Sequence, residues 1–200
     1  QTFTTPQFFP SVQICNQIWM TKNLSVRTYR NGDTIPQAIT PTAWRNATQG
    51  AWCWYNNDSA TYAAKYGRLY NWYAVNDERG LAPEGWHIPT LEEAKQMVDS
   101  LGGKEYAGRK MKTTYGWHNA FGYGNGSNTS GFSGLPGGYC NEEGGSNSGA
   151  YGYWWTVDEN DNYTAMTFDL GYDFESTLNQ YINQFDEEDI NEFTMFLDED

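Results

Sequence analysis

The first candidate for ligand chemistry is a run of polar residues late in the chain. Residues 158–162, with the sequence DENDN, place carboxylate and amide oxygens at every position. Ca²⁺ takes about six to eight oxygen ligands, so this run supplies roughly half of a site, and Asp169 or Asp173 would have to complete it. The candidate metal ligands are Asp158, Asn160, Asp161 and Asp169. The alternative, a solvated polar turn between two strands, is favoured.

A second candidate site is a set of aromatic side chains that could stack on a sugar or pack against a protein. Its members are Trp117, Tyr139, Tyr153, Trp154, Trp155 and Tyr172. Successive residues of a strand point to opposite faces, so Trp154 and Trp155 cannot both face solvent. About half of the set must therefore lie in the core, and we expect one tryptophan of this pair to be exposed.

Residues that could act as catalytic bases or nucleophiles are scarce. His87 is interpreted as a hydrogen-bonded core histidine, and His118 as a surface or locally packed one. Ser133, in Gly-Phe-Ser-Gly, lacks the second glycine of a nucleophile elbow. The three cysteines, at positions 15, 53 and 140, fit no zinc pattern and allow at most one disulfide within the chain. We therefore expect no enzymatic activity.

The charge distribution limits the classes of partner. Net charge is −13, and all twelve lysines and arginines lie at or before Lys112, so residues 1–112 carry +3 and residues 113–200 carry −16. Nucleic acids and anionic membrane surfaces are disfavoured because both require clustered basic residues. No apolar run is long enough to enter a bilayer as a spanning helix. The asymmetry suggests head-to-tail self-association, and the alternative is that the acids only maintain solubility.

Two helices are predicted among the loops and strands. A short helix over residues 59–66 is capped by Asp58 or Ser59 and ended by Gly67. A longer helix over residues 91–101 begins with the capping box Thr-Leu-Glu-Glu and has apolar residues at helical spacing.

The predicted strands are short and separated by glycine, proline and asparagine. They cover residues 12–20, 24–29, 153–157 and 165–170, the last two forming a hairpin around the polar run. An Asn-Gly-Asp turn closes the second strand. Residues 34–50 and 116–152 are expected to be irregular, because of prolines in the first segment and glycines and asparagines in the second.

The C-terminal residues allow two interpretations. Apolar residues at helical spacing over 178–185 favour a helix, whereas residues 193–197 favour a closing strand. We expect the strand, because it would cover an open sheet edge. Residues 1–11 contain two prolines and are predicted to form an extended N-terminal arm, and residues 12–200 a single α+β domain.

Four blocks of the sequence resemble the Fibrobacter succinogenes major paralogous domain family. They are YGRLYNWYAVND from residue 66, RGLAPEGWHIPT from residue 79, GFSGLPGGY at 131–139 and YGYWW at 151–155. The resemblance implies a fold similar to the C-type lectin and formylglycine-generating-enzyme group, with short twisted antiparallel sheets, one to two helices and long Gly/Asn-rich loops. The family is largely without assigned activity, and the reactive cysteine pair of the formylglycine-generating relatives has no matching residues here.

The resemblance also implies a bacterial surface or extracellular location after removal of a signal peptide. In the lectin-like fold the ligand face is commonly built from the long loop region and the strands after it, where the aromatic set falls. We therefore expect a non-enzymatic binding or adhesion module that recognises a glycan or a surface protein, with Ca²⁺ as a candidate cofactor. The alternative is a structural subunit of a self-assembling extracellular surface structure or filament.

Overall fold

Short antiparallel sheets and helices alternate along the chain. The computed structural model describes residues 8–119, 124–141, 143–161, 164–173, 181–184 and 198–199. Within these ranges the architecture is α+β, as predicted. The helices are α1 (Pro41–Arg45), α2 (Ser59–Tyr66), α3 (Trp72–Val75), α4 (Leu91–Ser100) and α5 (Lys104–Met111), with a 3-10 turn at Tyr55–Asn57. The strands are β1 (Ser11–Ile14), β2 (Gln17–Met20), β3 (Trp52–Cys53), β4 (Leu69–Tyr70), β5 (Trp86–His87), β6 (Tyr139–Asn141), β7 (Gly144–Ser146), β8 (Tyr151–Asp161), β9 (Thr164–Gly171), β10 (Tyr181–Gln184) and β11 (Asp198–Glu199).

The β8–β9 hairpin is the longest pair of strands. The hairpin predicted around residues 158–162 is confirmed, but β8 continues to Asp161, so most of the polar run is strand rather than turn. The register shifts between Trp155 and Glu159, which is the signature of a β-bulge. β10 pairs with the other edge of β9, so residues 181–184 form a strand and not part of the helix that their spacing allowed.

The hairpin is covered on both faces. Trp154 and Trp155 are 0% and 1% exposed, so the prediction that one of them faces solvent is wrong. Phe168 stacks on Trp154 with ring centres 5.3 Å apart, while Trp72 of α3 packs on Trp155 at the same distance. Because successive residues of a strand point to opposite sides, the two indoles lie on opposite faces of the hairpin. Each face is packed against further aromatic side chains.

A second sheet joins the two ends of the chain, in the strand order β1-β2-β11-β5. Residues 12–20, predicted as one strand, are two: the chain reverses at Cys15, whose φ of 58° is left-handed. β11 pairs with β2 and with β5 and so closes the gap between them. The closing strand predicted at residues 193–197 lies outside the described residues, and the predicted arm, residues 1–11, is described only from residue 8.

Both predicted helices are confirmed. α2 begins after Asp58, whose carboxylate accepts from the backbone N–H of Thr61 at 3.1 Å, and it ends at Gly67. α4 begins with the predicted capping box, in which Thr90 and Glu93 each bind the other's backbone N–H. The buried face of α4 packs on the β8–β9 hairpin.

Three further helices were not predicted. α1 lies in the segment expected to be irregular, because Pro41 at its first turn starts a helix that Thr40 caps. α3 is a single turn capped by Asn71, too short to show apolar periodicity. α5 carries four charged side chains, two in its first turn and two in its last, and it follows α4 almost directly.

In two segments the strands of the structure differ from the predicted ones. Residues 24–29 form no strand and contribute only the bridge of Thr28 to Thr34 around the predicted turn. Residues 116–152, expected to be irregular, contain the β6–β7 hairpin. The glycines of β7 give little local signal for a strand, and this hairpin packs against residues far away in the chain, since Gly145 donates to Asn56.

The core is an aromatic cluster that packs the N-terminal β1–β2 hairpin against the β8–β9 hairpin. Phe132, fully buried, lies with its ring centre 6.0 Å from that of Trp19, 5.9 Å from Trp154 and 6.2 Å from Phe168. None of the described helices has the length and apolar character needed to cross a bilayer.

Candidate functional site

A cleft of about 420 Å³ opens between the end of β2, the C-terminal half of α2 and the loops that follow α5. Pockets for small ligands typically measure about 300–1,000 Å³. The side chains of Lys22, Lys65 and Tyr115 line this cleft, which we call the lysine cleft. The other polar lining residues are Thr21, Asn23, Ser25, Tyr66 and Ser133.

One wall of the lysine cleft follows the end of β2, and Asn23 attaches this wall to the core. Its amide nitrogen donates to the carbonyl oxygen of Tyr66 at 2.7 Å, and its amide oxygen accepts from Nε1 of Trp154 at 3.1 Å. α2 ends at Gly67, with φ of 73°, where an added Cβ would lie 3.1 Å from the carbonyl oxygen of Leu24. A glycine therefore allows this wall to approach the end of the helix closely.

Arg68 supports the same wall from the protein interior. Its guanidinium carbon lies 4.3 Å from the ring centre of Trp52 and 4.5 Å from that of Trp54, and its Nη1 donates to the carbonyl and hydroxyl oxygens of Ser25. Burial lowers the pKa of Arg68, yet an arginine remains charged at neutral pH. The two ring faces stabilise that buried charge, so Ser25 is held by a rigid stack.

Tyr115 and Ser133 reach the cleft from loops with defined hydrogen bonds. The hydroxyl of Thr113 donates to the carbonyl oxygen of Tyr115 at 2.8 Å and accepts from Nε1 of Trp117 at 3.0 Å. Tyr115 is 59% exposed. The hydroxyl of Ser133 donates to the carbonyl oxygen of Gly131 at 3.2 Å, so this hydroxyl holds the loop in shape.

The charge of the lysine cleft is opposite in sign to that of the whole protein. Among its lining residues within the described ranges, Lys22 and Lys65 are the charged ones, whereas the chain as a whole carries −13. Salt at physiological strength screens exposed charges beyond about 8 Å. The two lysines place positive charge beside any group bound in the cleft, and they favour an anionic or strongly polar group.

The predicted aromatic ligand residues do not line the lysine cleft. Four of them are buried: Trp117, Tyr153, Trp154 and Trp155. The other two, Tyr139 and Tyr172, are half-buried members of a tyrosine cluster. In this cluster Tyr153 lies 5.8 Å from Tyr139 and from Tyr151, and Tyr151 lies 5.9 Å from Tyr172, all between ring centres.

Both histidines hold structural contacts, as interpreted from the sequence. His87 is half-buried, and its Nε2 lies 3.1 Å from Oε1 of Glu93 at the start of α4. His118 is exposed, with its ring edge-on to Tyr172 at 5.9 Å.

The predicted calcium ligands occupy the β8–β9 hairpin. Asp158 accepts the backbone N–H of Leu91 at 2.5 Å and so binds the N-terminal end of α4. Asp169 is fully buried and lies opposite Tyr153 in the strand register. Asn160 and Asp161 belong to β8, but the described part of the chain does not include their side chains. Within that part no group of three or more His, Cys, Asp or Glu residues could hold a metal ion, and the calcium site stays a prediction.

The profile of the Fibrobacter succinogenes major domain matches residues 12–191. The chain belongs to the Fibrobacter succinogenes major domain family. Neither the curated proteins nor the solved structures contain a match to it. The blocks that resemble the family build the frame of this Fibrobacter succinogenes major domain: Phe132 comes from one block and Trp154 from another, and both lie at the centre of the core.

The lysine cleft has no signature in the sequence. Its defining side chains, Lys22, Lys65 and Tyr115, come from three segments far apart in the chain, and each alone is an ordinary surface residue. No local spacing connects them. The nearest sequence signal was the predicted end of α2 at Gly67, which marks where the wall is placed.

Proposed function

We propose that the protein is a secreted or cell-surface, non-enzymatic binding module of C-type-lectin-like fold that recognises a glycan. The observation that carries this proposal is the lysine cleft, with an exposed aromatic ring beside two lysines and several hydroxyl groups. Short antiparallel sheets and long loops after α5 support the lectin-like fold.

The chemistry of the cleft suits a saccharide that carries carboxylate or sulfate groups. The ring of Tyr115 offers an apolar face to a sugar ring, while hydroxyl and amide groups offer hydrogen bonds to sugar hydroxyls. Lys22 and Lys65 supply charge for an acidic substituent. The wall is fixed before binding by Asn23 and by the stack on Arg68, and a pre-formed wall lowers the entropic cost of binding.

Calorimetric titration with uronic-acid oligosaccharides, beside neutral oligosaccharides of equal length, tests the proposal. We expect saturable binding of the acidic sugar that weakens as salt rises. Tyr115→Ala should raise its Kd about two- to tenfold, from the ~0.5–1.5 kcal/mol of an aromatic contact. Tyr106→Ala is the matched control, since Tyr106 is equally exposed, at 59%, but does not line the cleft.

Substitution of the lysines separates charge from stacking. Lys65→Gln should weaken binding of the acidic sugar and leave any binding of the neutral sugar unchanged, whereas Lys104→Gln, at an exposed position of α5, should alter neither. Absence of saturable binding to either sugar, or equal loss in Tyr115→Ala and Tyr106→Ala, would overturn the proposal.

The placement of β11 favours a second candidate, a self-assembling structural subunit. β11 fills a slot between β2 and β5, and the same segment of a second copy could pair there by strand exchange. Sedimentation at increasing protein concentration, with and without residues 198–200, tests this candidate. Larger species formed only by the intact chain would support it, and a monomer at every concentration would exclude it.

A further inference from the structure

A second buried cluster, separate from the aromatic core, contains two cysteines. Cys53 of β3 and Cys140 of β6 are 0% and 1% exposed and share this cluster with Trp44, Tyr55 and Leu69. The thiol of Cys140 is close enough to that of Cys53 to contribute, after burial, to raising the pKa of Cys53. The third cysteine, Cys15, lies exposed in the turn between β1 and β2.

The cysteines meet because the β6–β7 hairpin docks on the turn that follows β3. Oδ1 of Asn56 in that turn accepts the backbone N–H of Gly145 at 2.8 Å. Nε1 of Trp44 donates to the carbonyl oxygen of Cys140 at 3.0 Å. An added Cβ at Gly145 would lie 2.7 Å from ring atoms of Tyr55, so the hairpin lies directly against this ring. Contacts on both sides of Cys140 therefore hold its thiol beside that of Cys53.

We propose that Cys53 and Cys140 form the disulfide of this protein, which joins β3 to β6, and that Cys15 remains a free thiol. The pairing follows from placement, since two thiols are packed together in one cluster and the third is at the surface on another hairpin. A disulfide bond is about 2.05 Å long, so closing it requires the two sulfur atoms of this cluster to move to bonding distance.

A small-molecule disulfide such as oxidised glutathione can act as the oxidant. One protein thiolate attacks a sulfur of the oxidant, forms a mixed disulfide and releases one glutathione thiolate. The second protein thiolate then attacks the protein sulfur of the mixed disulfide and releases the second glutathione. The two protein thiols lose two protons and two electrons, and the oxidant is reduced to two thiols.

Burial determines when this exchange occurs. Burial, together with the adjoining thiol of Cys140, raises the pKa of Cys53 well above its ordinary value, so the thiolate is scarce in the folded protein. Exchange is therefore fast during folding, or when the β6–β7 hairpin undocks, and slow in the native state. Reduced protein that has already folded should oxidise slowly, and folding in the presence of oxidant should give the cross-linked form directly.

Counting thiols in the wild-type protein tests the pairing without any substitution. The protein is refolded with oxidised glutathione or with a reductant, and its thiols are titrated with a maleimide in native buffer and in denaturant. We expect the reduced protein to react rapidly at one thiol when native and at three when denatured. The oxidised protein should react at one thiol under both conditions, and peptide mapping should link Cys53 to Cys140.

Two variants and a melting measurement complete the test. Cys15→Ser should keep the cross-link and lose the remaining thiol, whereas Cys140→Ala should leave two reactive thiols after denaturation. The oxidised wild type should melt on the order of 10 °C above the reduced form, because the cross-link closes a long loop over residues 53–140. Three reactive thiols in the denatured oxidised protein, or a mapped link that includes Cys15, would overturn the proposal.

Discussion

Phe132 should be among the residues whose truncation destabilises the protein most. Its ring is fully buried and contacts Trp19 of β2, Trp154 of β8 and Phe168 of β9. Phe132→Ala would leave a cavity between the N-terminal and C-terminal hairpins. Three bulky rings on rigid strands surround that cavity, so neighbouring side chains can fill little of it.

The expected cost follows from this geometry. Phe→Ala substitutions in cores lower the free energy of unfolding by about 3–5 kcal/mol, through lost burial and the cavity that remains. Complete burial of Phe132 and its three ring neighbours place the loss in the upper half of that range. For a chain of this length, each kcal/mol lowers Tm by about 2–4 °C, so Tm should fall by roughly 8–20 °C.

Urea and thermal unfolding followed by tryptophan fluorescence measure this loss. The urea midpoint should fall with little change in the slope of the free energy against urea concentration. Phe8→Ala is the matched control, because Phe8 is 87% exposed and its loss should change stability by less than about 0.5 kcal/mol. If both variants unfold at the same midpoint, Phe132 does not connect the hairpins as described.

Three further outcomes are expected. Hydrogen bonding from Arg79 lowers the pKa of Asp77 to about 2, below the ~3.9 of an unfolded chain. The unfolded state therefore binds more protons as pH falls from about 4 to 2, so urea midpoints should drop more steeply there for the wild type than for Asp77→Asn; parallel curves would contradict this. If the predicted calcium site exists, millimolar Ca²⁺ should raise the Tm of the wild type but not that of Asp158→Asn. If neither calcium nor a chelator changes the Tm, Asp158 serves only as the hydrogen-bond partner of Leu91. Gly145→Ala should lower Tm by several degrees, because the added Cβ would lie 2.7 Å from ring atoms of Tyr55; an unchanged Tm would show that the hairpin is not docked there.

The elements that the sequence predicted correctly are those specified by neighbouring residues. α2 and α4 each carry a stop signal and a capping side chain within a few positions, and that side chain accepts a backbone N–H of the first turn. The β8–β9 hairpin was predicted from two apolar runs around a polar one. Its length was not, because β8 continues past the polar run to Asp161, where pairing with β9 overrides the preference of polar residues for turns.

Burial of the tryptophan pair shows where the sequence pattern stops being informative. Alternation correctly separates Trp154 from Trp155, but it cannot say which face is covered. Coverage comes from Trp72 on one face and from Phe132 on the other, and these two residues lie in other parts of the chain. A one-sided sheet was assumed because antiparallel sheets commonly have one wet face. Here helix α3 and the loop of Phe132 cover both faces.

Buried Trp154 also connects the core to the lysine cleft. Nε1 of Trp154 donates to Asn23, whose amide nitrogen in turn donates to the carbonyl oxygen of Tyr66 at the end of α2. A residue expected to bind ligand directly therefore acts one step away, by holding the wall on which Lys22 and Ser25 lie. Trp154→Phe would keep much of the apolar volume but remove this hydrogen bond. In that variant, affinity for a ligand of the lysine cleft should fall by a larger factor than in a Phe168→Leu variant of similar stability, because only the first releases Asn23.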